Sequence, residues 1–281
     1  MDVCNTHPAW ILFYMGCIMA AVVYLLFLPT DHLSYIDKIW GFAPIVSGLV
    51  FMLHNSVCSL GYSNLYLFCK VILMSIWGFR LTYNFARKGG MSMEEDYRWV
   101  YVRKLFPQKI IYHLFVIGFV SLYQSLILWL LVAPLTVKKA QAFDLQDIVV
   151  SGLVLFFIAT ETIADQQQWD FHQLKKMAAK DKQLANFDQD IKRGFLTRGL
   201  WNLCRHPNFF SELAIWFCFY LFSVGSESGY LNWSIVPWLA LLSIFLGSTP
   251  FTENITKSKY PEYTQHIATS WALWPDLRKL F

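Results

Sequence analysis

Between Thr197 and Glu212 the chain reads Thr-Arg-Gly-Leu-Trp-Asn-Leu-Cys-Arg-His-Pro-Asn-Phe-Phe-Ser-Glu. Pro207 has no amide hydrogen and a φ already near the helical value, so it marks the first residue of a helix that continues through the apolar run from Phe209 to Val224. A helix start presents free N–H groups and the positive end of a dipole, which suits a phosphate or a carboxylate. Arg198, Arg205 and His206 add side-chain charge to the same corner. Glu212 follows about one turn further in, where an ionisable group in a membrane helix is costly and points to a function.

Two other stretches bring chemistry to this corner. No Gly or Pro interrupts Ile158 to Lys180, so the helix there is expected to run past the membrane surface. Asp165, Gln168, His172 and Lys175 then share one face. Alone they read equally well as a solvated helix end; beside Arg205 they read as a polar wall. In the tail, Glu253, Lys257 and Tyr260 fall at i, i+4 and i+7 on one face of a continued helix. The helix start and arginines suit phosphates, whereas the carboxylates and amides suit ribose hydroxyls or a nicotinamide carboxamide. A dinucleotide carrying a 2′-phosphate matches that inventory. No Gly-x-Gly-x-x-Gly fingerprint is present, which excludes a Rossmann-type site.

The elements that must position these residues are membrane helices. Of 281 residues, 56% are hydrophobic and 15% charged, with a mean hydropathy of +0.39; a soluble domain does not reach such values. Apolar runs predict about seven spans, near Ala9–Leu28, Trp40–Leu60, Asn64–Ala86, Ile111–Thr136, Leu145–Ala164, Phe209–Val224 and Asn232–Phe251. The fold class is therefore all-α and polytopic, with the cofactor pocket on the cytosolic side. Lys38, the basic residues from Arg87 to Lys109, those from Lys175 to Arg205 and those from Lys257 to Lys279 all fall on one side of this arrangement. Only Lys138 and Lys139 oppose them. Positive loops mark the cytosol, so the N-terminus is expected to be lumenal or external and the C-terminus cytosolic.

A net charge of +4 is too small to argue for nucleic acid. The six cysteines are scattered without a Cys-x-x-Cys pair, so free buried thiols are expected and no metal site is indicated. With no internal repeat, residues 1–281 read as a single membrane domain, which also argues against a transporter. Within it, residues 1–136 form the lipid-substrate side and 145–281 the cofactor side. Arg80 lies in an apolar run and needs a partner or a wet cavity; Glu94, Glu95 and Asp96 are its candidate partners.

The run from Gly199 to Glu212 resembles the signature of the membrane family that groups the steroid 5-alpha-reductase C-terminal domain, the sterol C14-reductases and the DUF1295 proteins. Asp37-Lys-Ile-Trp40, Trp77-Gly-Phe-Arg-Leu, Glu95-Asp-Tyr-Arg-Trp99, Ala164-Asp-Gln166 and Glu253 with Tyr260 and Tyr263 resemble the DUF1295 branch in the same order. The resemblance thus covers most of the chain.

It implies NADPH as cofactor, and reduction of a polarised double bond of a steroid, sterol or other lipid within the bilayer. Trp201, Asn208 and Phe209 match its nucleotide-contacting positions, Glu212 the family carboxylate, Asp165 and less closely Glu161 an acidic position after the fifth span. Glu253, Lys257 and Tyr260 match its tail face. Ser211 and Phe209 depart from the usual glycine and tyrosine. The first two spans contain no glutamate, whereas the steroid reductases use one there with a tyrosine to protonate the substrate. Tyr97, Glu95 and Asp96 are the replacement candidates as proton donor. Two other readings stay open: a methyltransferase using S-adenosylmethionine, similar to the isoprenylcysteine carboxyl methyltransferases, and a non-catalytic lipid-binding protein. Endoplasmic reticulum is the expected membrane for a eukaryotic lipid enzyme.

Overall fold

The computed structural model describes residues 3–138, 142–181, 188–225 and 228–280; Lys139 lies outside them. The described residues form helices and turns, with one isolated bridge between Gly225 and Gly229. In order the helices are α1 (Pro8–Thr30), α2 (Tyr35–Ile39), α3 (Ala43–Cys58), α4 (Asn64–Arg87), α5 (Tyr97–Leu105), α6 (Lys109–Leu130), α7 (Leu145–Ala178), α8 (Gln189–Arg193), α9 (Leu200–Leu203), α10 (Pro207–Leu221), α11 (Val236–Lys259) and α12 (Tyr263–Thr269). A π-helical stretch, Val116–Tyr123, interrupts α6.

An apolar helix stands at each expected span, so the chain is an all-α polytopic membrane protein. Among the described residues, α1, α4, α6, α7 and the 27-residue helical stretch Trp233–Lys259, which contains α11, are long and apolar enough to cross a bilayer. The 16 residues of α3 and the 15 of α10 rise only about 22–24 Å, short of a hydrocarbon core of about 30 Å. The expected count of seven therefore has the required length in five cases. Helix α7 does run on as its uninterrupted sequence predicts: its 34 residues span about 51 Å, some 20 Å beyond the core thickness.

The chain divides into two compact units. One holds residues Met1–Val154 and Trp216–Ala240, the other Leu155–Ile215 and Leu241–Phe281. In the first, α1 packs along α6 and α3 along α4. Helix α4 can come close to the α2–α3 turn because Gly41 and Gly78 face each other; a Cβ on Gly78 would lie 2.2 Å from the Gly41 carbonyl oxygen. Val23, Phe27, Ile36, Trp99, Val116 and Val120 share one apolar cluster. Lys70 is fully buried in this unit. Its ammonium lies 3.7 Å from Asp147 and 3.5 Å from the centre of the Phe222 ring, while Tyr66 donates to the same carboxylate at 2.8 Å. Burying a cation there is affordable only with such a partner.

One expectation is corrected here. Cys4 and Cys58 form a disulfide, so these two are not free thiols. A short 3-10 turn, Val3–Asn5, packs Cys4 against the end of α3. That contact bridges 54 positions and leaves no trace in cysteine spacing. Cys17 and Cys69 are half-buried free thiols, and Cys204 and Cys218 buried ones.

Candidate functional site

The second unit gathers the residues singled out in the sequence, though not in the roles their charges suggested. Helix α10 begins at Pro207 as predicted. Immediately before it, Arg205 is buried and fully committed. Its Nε donates to Glu253 Oε1 at 2.7 Å and its Nη2 to Oε2 at 3.2 Å, a bidentate pair. Its Nη1 donates to the carbonyls of Ile267, at 3.2 Å, and Ser270. His206 Nε2 lies 2.9 Å from the same Glu253 oxygen, and its ring stacks on Phe209 with centroids 5.0 Å apart.

The backbone N–H groups of the two residues before the helix are also spent. Those of Arg205 and His206 donate to the carbonyls of Trp271 and Ala272 at 2.9 and 3.0 Å, and the amide of Asp276 donates to Leu203 at 2.9 Å. Lys279 Nζ reaches the Asn202 carbonyl at 3.1 Å and Ser270 Oγ at 3.3 Å. The C-terminal tail is thus a strap over the corner. Arg205 and His206, expected to offer charge to an anionic ligand, hold Glu253 and this strap instead.

The same applies to Arg198. It pairs with Asp188 at 2.6 Å and lies 3.7 Å from Asp190. Burial alone would raise the Asp188 carboxyl, yet the Arg198 bond and the amides of Ile191 and Asp190 hold it below the ordinary carboxylate range. Lys175 donates to the Gly194 carbonyl at 2.9 Å and to the Tyr260 hydroxyl at 2.5 Å. Tyr260 packs so tightly on Gly194, whose φ is +87°, that a Cβ there would meet the ring at 2.2 Å. Burial pushes the Cys204 thiol up to about 11, so it is no nucleophile at neutral pH.

The wall on α7 has a different character. Asp165 is buried, and Asn208 Nδ2 stands 3.5 Å from its Oδ1. One turn along, Gln168 contacts His172 at 3.3 Å. Asn208 Oδ1 and Gln168 Oε1 are buried acceptors with no donor among the described residues. Trp201 is tied to the same helix, its indole N–H donating to the Ala164 carbonyl at 3.0 Å. Glu161 and Glu212 are buried at 4% and 5% exposure in the same unit, and Lys257 is half-buried.

Three groups were not anticipated. Gln167 accepts from the Leu200 amide at 3.0 Å and so fixes α9 to α7. Asp188 and Asp190 tie down Arg198 and Thr197, Thr197 donating to Asp190 at 2.6 Å. A groove of about 590 Å³ lies on the Gln167, Asp170 and Leu174 face of α7 with Arg198 and Gly199 on its rim. It is turned away from the Asp165, Gln168 and His172 face, so of the expected cofactor residues only Arg198 reaches it.

The proton-donor candidates lie in the first unit. Glu95 accepts from the Leu33 amide at 2.6 Å and pairs with Arg103; Asp96 caps α5 through the Arg98 amide at 2.9 Å and pairs with the Arg98 side chain at 2.8 Å. Tyr97 faces outward, 56% exposed.

The fold and site define a polytopic helical membrane protein with a strapped polar corner and an acceptor-rich wall on an overlong helix. The chain belongs to the family described as "Protein of unknown function (DUF1295)", whose model matches residues 23–270. It is similar to a protein of Schizosaccharomyces pombe (strain 972 / ATCC 24843) described as "Uncharacterized protein C594.04c", being 36% identical over 270 residues that cover 92% of this chain and 77% of the relative. No solved structure matches it.

Proposed function

We propose that this protein is a membrane oxidoreductase that uses NADPH to reduce a carbon–carbon double bond of a lipid. The observation that carries the reading is the pair of buried amide oxygens, Asn208 Oδ1 and Gln168 Oε1, that have no donor among the described residues, Asn208 standing beside the Asp165 carboxylate. Buried polar atoms are rarely left unpaired, and these two oxygens call for a ligand that supplies N–H and O–H donors. Ribose hydroxyls and a nicotinamide carboxamide supply them. Asp165, Gln168, His172, Trp201, Asn208, Phe209 and Lys257 would hold the dinucleotide. When bound, it supplies the hydride equivalent for the reduction. Arg205, His206 and Glu253 keep the corner in one geometry, so that the amide acceptors are already oriented when the ligand arrives.

A second reading, an S-adenosylmethionine-dependent methyltransferase, is favoured by one observation: Arg205 and Arg198 are both paired with carboxylates, leaving less cationic charge for phosphates. On either reading the N-terminus is lumenal and the membrane is that of the endoplasmic reticulum. The Cys4–Cys58 disulfide supports this orientation, because such bonds persist in oxidising compartments.

The test is nucleotide binding by purified protein in detergent, comparing NADPH, NADH and S-adenosylmethionine, with Asn208→Ala as control. The proposal expects NADPH to bind tightest and Asn208→Ala to weaken it. Preference for S-adenosylmethionine selects the second reading, and binding of no nucleotide leaves a non-catalytic lipid-binding protein.

A further inference from the structure

We propose that α5 is an interfacial helix whose outward face, built from Tyr97, Val100, Tyr101, Lys104 and Leu105, docks on anionic phospholipid headgroups. The inference is independent of the nucleotide reading.

The inner face of α5 is fixed at the depth of the membrane helices. Trp99 packs in one cluster with Val23 and Phe27 near the end of α1 and with Val116 and Val120 in the first turns of α6. Its indole N–H donates to Asp37 at 3.0 Å. Arg103 is pulled inward by Glu95 and lies 3.5 Å from Asp31. The nine residues of α5 therefore cannot swing out into solvent without breaking these contacts. Both ends of the surrounding segment return to membrane helices, α4 ending at Arg87 and α6 starting at Lys109.

What faces outward is then unsuited to water. Val100 is 52% exposed and Leu105 63%, on a face that also carries Tyr97, Tyr101 and Lys104 at i, i+3, i+4, i+7 and i+8 spacing. Aromatic residues with tyrosine hydroxyls and lysines that can extend toward headgroups are the composition of a helix lying in the interface plane.

Charge selects the lipid. From Arg87 to Lys109 the sequence has six basic and three acidic residues. Asp96 and Glu95 are neutralised by Arg98 and Arg103, so the excess is positive, with Lys88, Lys104 and Lys109 exposed. The membrane side rich in Lys and Arg is the cytosolic one, whose leaflet carries the anionic lipids.

The test uses the full chain reconstituted in liposomes, with Cys17 and Cys69 replaced by alanine and an environment-sensitive fluorophore on Val100→Cys. A second label on Glu94→Cys, outside α5, is the aqueous reference. In vesicles containing phosphatidylserine, lipids spin-labelled in the headgroup region should quench the label at position 100, and aqueous iodide the label at position 94. Replacing Lys104 and Lys109 by glutamine should lower the preference for spin-labelled phosphatidylserine over spin-labelled phosphatidylcholine as quencher at position 100 by about fivefold per charge. Equal iodide quenching at both positions would overturn the proposal and leave the face for a protein partner. Equal quenching at position 100 by spin-labelled phosphatidylserine and spin-labelled phosphatidylcholine would overturn the anionic-lipid assignment.

Discussion

Replacing Arg205 by alanine separates a structural keystone from a ligand contact. The change removes a bidentate bond to Glu253 from a pair whose side chains are 9% and 8% exposed. Deleting one partner of a buried pair costs about 3–5 kcal/mol, because the surviving charge stays desolvated. His206 remains 2.9 Å from Glu253, which moves the cost toward the lower figure, about 3 kcal/mol. The carbonyls of Ile267 and Ser270 lose their donor, each adding about 1 kcal/mol. The total is about 5 kcal/mol, and at about 2 °C per kcal/mol for a chain of this size the melting temperature should fall by about 10 °C. Arg205→Lys keeps the charge but not the planar fork and should lose about half as much. The assay is thermal unfolding in detergent at one scan rate, since unfolding of such proteins is commonly irreversible. A double-mutant cycle with Glu253→Ala should return a coupling of at least about 2 kcal/mol. If Arg205→Ala melted like the wild type while nucleotide binding vanished, Arg205 would be reaching a ligand and the strap argument would be wrong.

Gln168→Ala and Asn208→Ala remove acceptors that have no donor among the described residues, so each should leave the melting temperature within about 2 °C of wild type while weakening NADPH about fivefold to tenfold in a fluorescence titration. Burial, with Arg205 and Lys279 nearby, holds His266 down to about 4, below its ordinary 6.5. The unfolded chain therefore binds the extra proton first, so stability should be full above pH 6.5 and decline as pH falls toward 4; His266→Gln should flatten that slope in a melting series. Cys58→Ser opens a bridge between positions 54 apart and should cost about 2–4 kcal/mol in denaturant or thermal unfolding. Non-reducing peptide mapping of the wild type should recover the linked Cys4 and Cys58 peptides.

Local chemistry explains which features could be read from the sequence. Pro207 sets a helix start by its own ring, and the unbroken stretch from Ile158 to Lys180 propagates a helix without tertiary help, so the start of α10 and the length of α7 were both legible. The shared face of Asp165, Gln168 and His172 follows from that helix. Partnership was not legible. Arg205 looks like a free cation beside a helix start because its acceptors, Glu253 and the carbonyls of Ile267 and Ser270, lie 48 to 65 positions away. A strap made of backbone carbonyls has no residue signature at all. Arg198 misleads for the opposite reason: its partners Asp188 and Asp190 are near, but charge patterning alone cannot tell a paired cation from a ligand-seeking one. The short spans α3 and α10 show the same limit, since apolar runs continue through turns that end the helix.

The central claim is tested most directly by following isotope from cofactor to lipid. Purified protein in lipid vesicles would be incubated with a membrane lipid extract and NADPH deuterated at the transferable position of its nicotinamide, beside a parallel reaction with methyl-deuterated S-adenosylmethionine, and the lipids analysed by mass spectrometry. The account predicts a saturated lipid carrying one deuterium from NADPH, absent with Asn208→Ala. A labelled methyl ester, or no labelled lipid from either cofactor, would contradict it.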